Sequence, residues 1–388
     1  MTDSMAPTSD ARRQLAPTPP MGWNSWNTFR CYDLTEQVVV ETAEAMVTSG
    51  MREAGYEYVV VDDCWQAFRR GDDGSLVSHP GRFPSGMAAL GEEIHARGLK
   101  FGLYASPGRK TCAMIYDRYR GEGLGSFGHE QLDADSMAAW GVDYLKYDWC
   151  RAQRGGTGLT ERAAFTTMAT ALERTGRPMV YSISEYGRSR PWEWAPGVAN
   201  LWRTTKDITP SWRSVMRIAD QQHGLAAHAG PGAWNDPDML EVGNEGLSEV
   251  ESRSHLMLWA MLAAPLMAGN DVRAMSETTR DLLTHRGILA VAQDPAGRQG
   301  ARTGRLGGLE FWRRELVDGC AVGVLNRARR TVDLDAPATD ELRRLLGDPA
   351  RAVDVFTGET GRLDGSLAPH EMRLWRVAGP AVSPADAG

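Results

Sequence analysis

Eight short apolar runs separated by helical stretches occupy the first three-quarters of this 388-residue chain. They read as strands near Gly22–Trp26, Tyr56–Asp63, Lys100–Ala105, Tyr144–Asp148, Pro178–Ser184, Leu201–Thr205, His228–Trp234 and Leu262–Met267. Between the first two, Thr35 to Ala54 reads as a helix: Thr35 can cap it, and Val38, Val39, Ala43, Met46 and Val47 form an apolar stripe. A second helix is expected from near Ser85 to Gly98. Strands alternating with helices predict a parallel sheet with crossover helices, and eight such units over about 280 residues fit a (β/α)8 barrel. A doubly wound open sheet is the runner-up, but no GxGxxG follows an early strand.

After Pro295 the texture changes to alternating apolar and polar residues between turn signals, as in "GCAVGVLNR" and "HEMRLWRV". This pattern predicts a small antiparallel β-sandwich domain. The expected organisation is a disordered tail over 1–16, a catalytic barrel over 17–298, a β domain over 299–380 and a tail over 381–388.

In a barrel of this kind chemistry collects at the strand C-termini. Here those ends carry charge repeatedly: Asp62 and Asp63, Lys146 and Asp148, Glu185, then Arg203 and Asp207, and finally Asp236 and Asp238. A single strand-terminal Asp is ordinarily a cap or a turn former, and Asp236 beside Pro237 fits that reading. Five strands converging acids on one rim would repel one another unless a site needs them. Lys146 and Asp148 share one face of their strand, as do Arg203, Thr205 and Asp207 of strand six.

Such a rim serves either a divalent metal cage or a polyhydroxylated substrate. The five cysteines form no CxxC and the histidines show no zinc spacing, so no metal and no cofactor are expected. Neighbouring Trp23, Trp26, Trp65 and Trp149 favour a sugar. Two of the acids can then act as the pair of a retaining glycosidase, spaced at roughly 5–5.5 Å. Lys146 favours an ionised Asp148, which suits a nucleophile; the opposing pulls of Arg203 and Asp148 leave the state of Asp207 open. A net charge of −7 without a basic cluster argues against nucleic acid, and the apolar stretch 255–269 is too short and is broken by Pro265, so no membrane partner is expected.

The motifs "TPPMGWNSWNTF", "VVVDDCW", "GLKFGLYAS", "KTC", "GVDYLKYDWC", "WRTTKDI" and "WNDPDML" together resemble glycoside hydrolase family 27, the melibiase-type α-galactosidases. The resemblance implies that Asp148 is the nucleophile and Asp207 the general acid, then base. It places Trp26, Asp62, Asp63, Tyr104, Cys112, Lys146, Glu185, Arg203 and Asp238 in the sugar pocket. It also implies disulfides Cys31–Cys64 and Cys112–Cys150, leaving Cys320 as a buried free thiol. The chain departs from the common pattern at Ser106-Pro107 and around Tyr186 and Arg188.

By this resemblance the expected function is retaining hydrolysis of terminal α-D-galactosides, with a galactose-containing oligosaccharide or glycoconjugate as partner and a homo-oligomer allowed. Unlengthened Asp62 and Asp63 and the retained Glu185 favour galactose over β-L-arabinopyranose and N-acetylgalactosamine. A non-catalytic sugar-binding barrel is the alternative of another class, and it predicts loss of Asp148 or Asp207, both of which are present. The visible N-terminus lacks the apolar core of a signal peptide, which points to the cytoplasm, whereas two disulfides point to secretion.

Overall fold

Gly22 shows how tightly the sheet is drawn: a side chain there would meet the Tyr58 carbonyl oxygen at 2.3 Å. In this computed structural model, which describes residues 14–154 and 156–379, Gly22 lies on β1 (Met21–Asn24) and Tyr58 on β2 (Tyr58–Val61). The sheet continues through β3 (Lys100–Ala105), β4 (Tyr144–Asp148), β5 (Val180–Ser184), β6 (Leu201–Arg203), β7 (Trp234–Asp236) and β8 (Leu266–Ala268). Neighbours pair in parallel, in the order β7-β6-β5-β4-β3-β2-β1-β8. The ends of this curled sheet meet where Leu240, just past β7, bridges in parallel to Ala268 of β8. This is the expected (β/α)8 barrel.

Strand boundaries moved where local chemistry overrode the apolar pattern. Strand seven was expected at His228–Trp234 but begins at Trp234. Ahead of it, Ala226–His228 is a 3-10 turn, and Gly232 sits at φ +77° beside Pro231, which has no N–H to give a ladder. The expected start of strand eight at Leu262 is the end of the helix Glu249–Met261, followed by a left-handed Ala263 and by Pro265. β6 stops at Arg203, so Asp207 lies in a loop and the shared strand face expected for Arg203, Thr205 and Asp207 does not exist. The helix expected to run to Ala54 stops at Thr48; Thr35 does cap it, accepting from Val38 N at 3.3 Å. The helix expected near Ser85 runs over Gly86–Ala96.

The C-terminal part is an antiparallel sheet built on β9 (Ala301–Leu306), β10 (Leu309–Leu316) and β11 (Gly319–Asn326). β12 (Val332–Asp333), β13 (Val353–Asp354), β14 (Ser366–Leu367) and β15 (Met372–Ala378) follow. The main sheet has the order β13-β15-β11-β10-β9, and β12 pairs with β14. Alternation sorts its side chains to two covered faces. Trp312, Leu316, Ala321, Leu325, Met372 and Leu374 pack into the barrel's core. Phe311, Val322, Val324, Trp375 and Val377 pack instead with Ala338, Leu342, Leu345 and Leu346. These last four belong to the helix Ala336–Leu346, which sequence reading placed among strands.

The apolar stretch 255–269 is accounted for by its position. The helix Glu249–Met261 runs between barrel and sheet, in contact with β10, β11 and β15, so all its sides from Ser254 onward are buried. No helix among the described residues is long and apolar enough to cross a membrane. Of the expected N-terminal tail, Leu15 and Ala16 pack into the foot of the barrel: Ala16 is buried, and its carbonyl accepts from Trp234 Nε1 at 2.9 Å. Residues 1–13 of that tail and the tail 381–388 lie outside the described residues.

Candidate active site

Two cations, Arg203 buried and Lys146 half-buried, organise the rim at the strand C-termini. Lys146, on β4, places Nζ 2.7 Å from Asp62 Oδ2 and 3.8 Å from Asp148 Oδ2. Arg203, ending β6, places Nη2 2.8 Å from Asp238 Oδ2 and 3.2 Å from Asp207 Oδ1. Each cation therefore bridges two carboxylates, and in each case Asp148 or Asp207 takes the longer contact. The carboxylates other than Asp207 and the Arg203 guanidinium are buried and Lys146 is half-buried, whereas the Asp207 side chain is 70% exposed.

Local folding fixes the bridging partners. Asp62 accepts from Asn24 Nδ2 at 2.8 Å as well as from Lys146, and its Oδ1 accepts from Asp63 N at 2.8 Å. Asp63 is held by the backbone N–H groups of Cys64 and Ala113, both at 2.8 Å. Burial nevertheless pushes Asp63 up to about 7, against those two donors. Asp238 sits at φ +95°, a strained conformation for a non-glycine residue. Its oxygens accept from Met239 N at 2.8 Å and Ile208 N at 2.7 Å, which over-determine the geometry. Asp236 is the turn former its sequence context indicated, accepting from Asp238 N at 2.8 Å.

Asp148 ends β4 opposite Ser184 of β5. Burial pushes its carboxyl up to about 6, outweighing the opposing pull of Lys146. Lys146 does favour the ionised form of Asp148, as expected, but it lies closer to Asp62 and desolvation outweighs its pull. Asp148 Oδ1 and the buried Glu185 Oε1 accept no hydrogen bond of ordinary geometry among the described residues, and the buried Arg203 Nε–H donates none. Glu185 follows β5; its Oε2 accepts from Ser189 N at 2.8 Å, and burial raises its carboxyl to about 7. Buried polar atoms are ordinarily paired, so this cluster is suited to hydroxyl groups of a ligand.

Tyr104 of β3 closes one wall, its hydroxyl accepting from Cys112 N at 3.1 Å and lying 3.2 Å from Cys150 Sγ. Cys112 and Cys150 are joined in a disulfide, as are Cys31 and Cys64, and Cys320 is free and buried. Both sulfurs of the first bridge lie within 4.8 Å of an Asp148 oxygen. Trp26 is half-buried at the start of a short helix, with Arg30 5.7 Å over its ring. The other tryptophans expected beside a sugar are not: Trp23, Trp65 and Trp149 are fully buried core residues. Their alternating positions on or next to strands point them outward into the helix layer.

Sequence reading did not assign a site role to Asn24 or Tyr186. Asn24 carries no signal beyond its strand-end position. Tyr186 follows Glu185 in a left-handed conformation, with Arg203 6.0 Å from its ring and its hydroxyl 3.5 Å from Cys112 Sγ.

A parallel barrel with paired acids at its C-terminal rim, followed by an antiparallel sheet domain, defines a glycoside hydrolase of the (β/α)8 class. Residues 18–294 match the family model described as alpha galactosidase A, and residues 306–377 match that of the alpha galactosidase C-terminal beta sandwich domain. The chain belongs to glycoside hydrolase family 27, the melibiase-type α-galactosidases. It is 47% identical to alpha-galactosidase A of Cellvibrio japonicus over 82% of this chain and 78% of that one. With the alpha-galactosidase of Cyamopsis tetragonoloba it shares 44% identity, covering 94% and 87% of the two chains. Its structure superposes on alpha-galactosidase I from Mortierella vinacea with a TM-score of 0.85 at 32% identity, covering 96% of this chain and 99% of that one.

Proposed function

We propose that this protein hydrolyses terminal α-D-galactosides with retention, through a covalent glycosyl-enzyme on Asp148. The observation that carries this reading is the contrast between its two candidate acids. Asp148 is buried against Lys146 with one oxygen free of ordinary hydrogen bonds, whereas Asp207 is largely exposed at the mouth on the Arg203 side. A nucleophile needs a fixed approach to the anomeric carbon, and an acid–base residue needs access to the leaving group and then to water. In the first step Asp148 attacks that carbon while Asp207 protonates the departing oxygen. In the second, Asp207 takes a proton from a water whose oxygen attacks the anomeric carbon, breaking the bond to Asp148 and freeing its carboxylate.

Asp62, Asp63 and Lys146 form a rigid acceptor–donor set for the hydroxyls on one edge of the sugar. Glu185, Arg203 and Asp238 serve the other edge, and Trp26 and Tyr104 the walls. The α-galactosidase relatives support galactose as the sugar, and the two disulfides support an oxidising compartment.

The test is hydrolysis of 4-nitrophenyl α-galactoside beside the α-N-acetylgalactosaminide and the β-L-arabinopyranoside, followed by trapping with a slow fluorinated galactosyl donor. Release from the α-galactoside, with the trapped mass on the peptide carrying Asp148, is the expected result. Release from one of the other two instead, or a label elsewhere, overturns it.

A further inference from the structure

The loop between β3 and the helix Glu130–Ala139 has more structure than its connection requires. It contains a one-turn helix, Cys112–Tyr116, capped by Thr111. Cys112 and Tyr116 are four residues apart and so lie on one face of that turn. Cys112 is fixed at the pocket floor by its disulfide, within 4.8 Å of an Asp148 oxygen. Tyr116 stands one turn along the same face, in the loop that follows the C-terminal end of β3 on the rim side of the barrel. Yet its side chain is 54% exposed.

The other end of the same disulfide leads to a second mouth residue. Arg151, directly after Cys150 and in a left-handed conformation, holds its guanidinium 4.9 Å from the Tyr116 ring centroid. Burial first, then the charges of Asp148 and Asp207, keep the Tyr186 hydroxyl protonated. Tyr116 thus stands beside the Cys112–Cys150 bridge that lies against Asp148.

An exposed aromatic ring is commonplace, but this one is held rigidly. Tyr119, three residues on, is buried and donates its hydroxyl to the Gln66 carbonyl and, at 3.2 Å, to that of Cys64. Asp117 pairs with Arg30 at 3.6 Å, and Arg30 in turn covers Trp26. The ring is tied to the floor on one side and to Trp26 on the other. Preorganised aromatic surface beside polar donors suits a ring with one apolar face and hydroxyl edges.

We propose that Tyr116, braced by Arg151, is the ledge on which the sugar next to the scissile bond rests, so that the substrate class is a galactosyl-oligosaccharide and not a glycolipid. The inference rests on the galactosidase reading above. The charged neighbours Arg30, Asp117 and Arg151 can hydrogen-bond hydroxyls and would be poor company for an alkyl chain.

The experiment compares kcat/KM for melibiose, dodecyl α-galactoside and α-galactosyl fluoride, the last having no sugar beyond the reacting one. Wild type, Tyr116→Ala and Tyr116→Phe are measured. Tyr116→Ala is expected to lower the melibiose-to-fluoride ratio by about tenfold, and Tyr116→Phe to keep it within about twofold. An equal fall on all three substrates, with a lowered Tm, would show a structural role only and overturn the ledge. So would a greater loss on the dodecyl galactoside than on melibiose. A wild type inert on galactosyl fluoride removes the galactosidase reading itself, and the ledge with it, whereas activity on the fluoride with an unmoved ratio removes the ledge alone.

Discussion

Lys146 gives its short contact, 2.7 Å, to Asp62 on the neighbouring part of the barrel and not to Asp148 on its own strand. Asp148 is left at 3.8 Å with burial as its main influence. A carboxylate that is buried but only loosely paired is costly to ionise and correspondingly reactive, and the first two predictions follow from that state.

Replacing Asp148 by Asn removes the proposed nucleophile, so hydrolysis of 4-nitrophenyl α-galactoside should fall by at least about a thousandfold. The same change should stabilise the fold. Because the folded-state value of Asp148 is raised above the ordinary carboxylate range to about 6, keeping it folded costs free energy that builds as the pH rises past the unfolded-state value of about 4 and is complete above about 6. The variant should melt a few degrees higher at pH 7, an advantage that shrinks towards pH 4, where the wild-type group is protonated in the folded state. Calorimetry at the two pH values checks both the sign and the window.

The acid limb of kcat/KM should bend near pH 6, since Asp148 must be ionised to attack and burial has raised it there. Lys146 opposes that rise. Removing its charge with Lys146→Met should move the limb to higher pH, as well as leaving Asp62 with a single side-chain donor, Asn24. A limb that moves to lower pH would falsify the assignment of that ionisation to Asp148.

Arg203 is buried between Asp238 and the exposed Asp207. Arg203→Ala leaves Asp238 buried without its cation and should destabilise the protein by about 3–5 kcal/mol in chemical denaturation. Arg203→Lys should recover much of that stability but not the rate, because an ammonium cannot reproduce a planar guanidinium that reaches both Asp238 and Asp207. Equal recovery of rate and stability would argue that the fork geometry is unimportant.

The Cys112–Cys150 bridge closes a separation of 38 residues and lies against Asp148. Converting both cysteines to Ala should lower stability by up to about 4 kcal/mol on the chain-entropy account. It should also lower kcat, because Tyr104 and Tyr186 both rest their hydroxyls on its sulfurs. The corresponding Cys31–Cys64 double variant should lose stability with a smaller change in kcat. Thermal melts and steady-state rates of the two variants, side by side, decide the matter.

The sequence by itself determined the barrel, because eight apolar runs separated by amphipathic helices leave few other ways to bury the apolar surface. It also located the charged rim, since strand ends in such a barrel share one face of the molecule. It named both cysteine pairs only through family resemblance. Tertiary structure alone decided the pairing of charges: a cation on one strand chooses among carboxylates on several others by distance, and alternation along a strand says nothing about that choice. Burial worked in the same way. Trp23, Trp65 and Trp149 look equivalent to Trp26 in sequence, but the helix layer covers them and leaves Trp26 partly open. The helix Ala336–Leu346 was missed because the alternating stretches on either side of it set the reading of the whole segment, although Asp335 caps it and Pro337 stands in its first turn. The helical spacing of Ala338, Leu342, Leu345 and Leu346 acquires meaning only against the sheet face they cover.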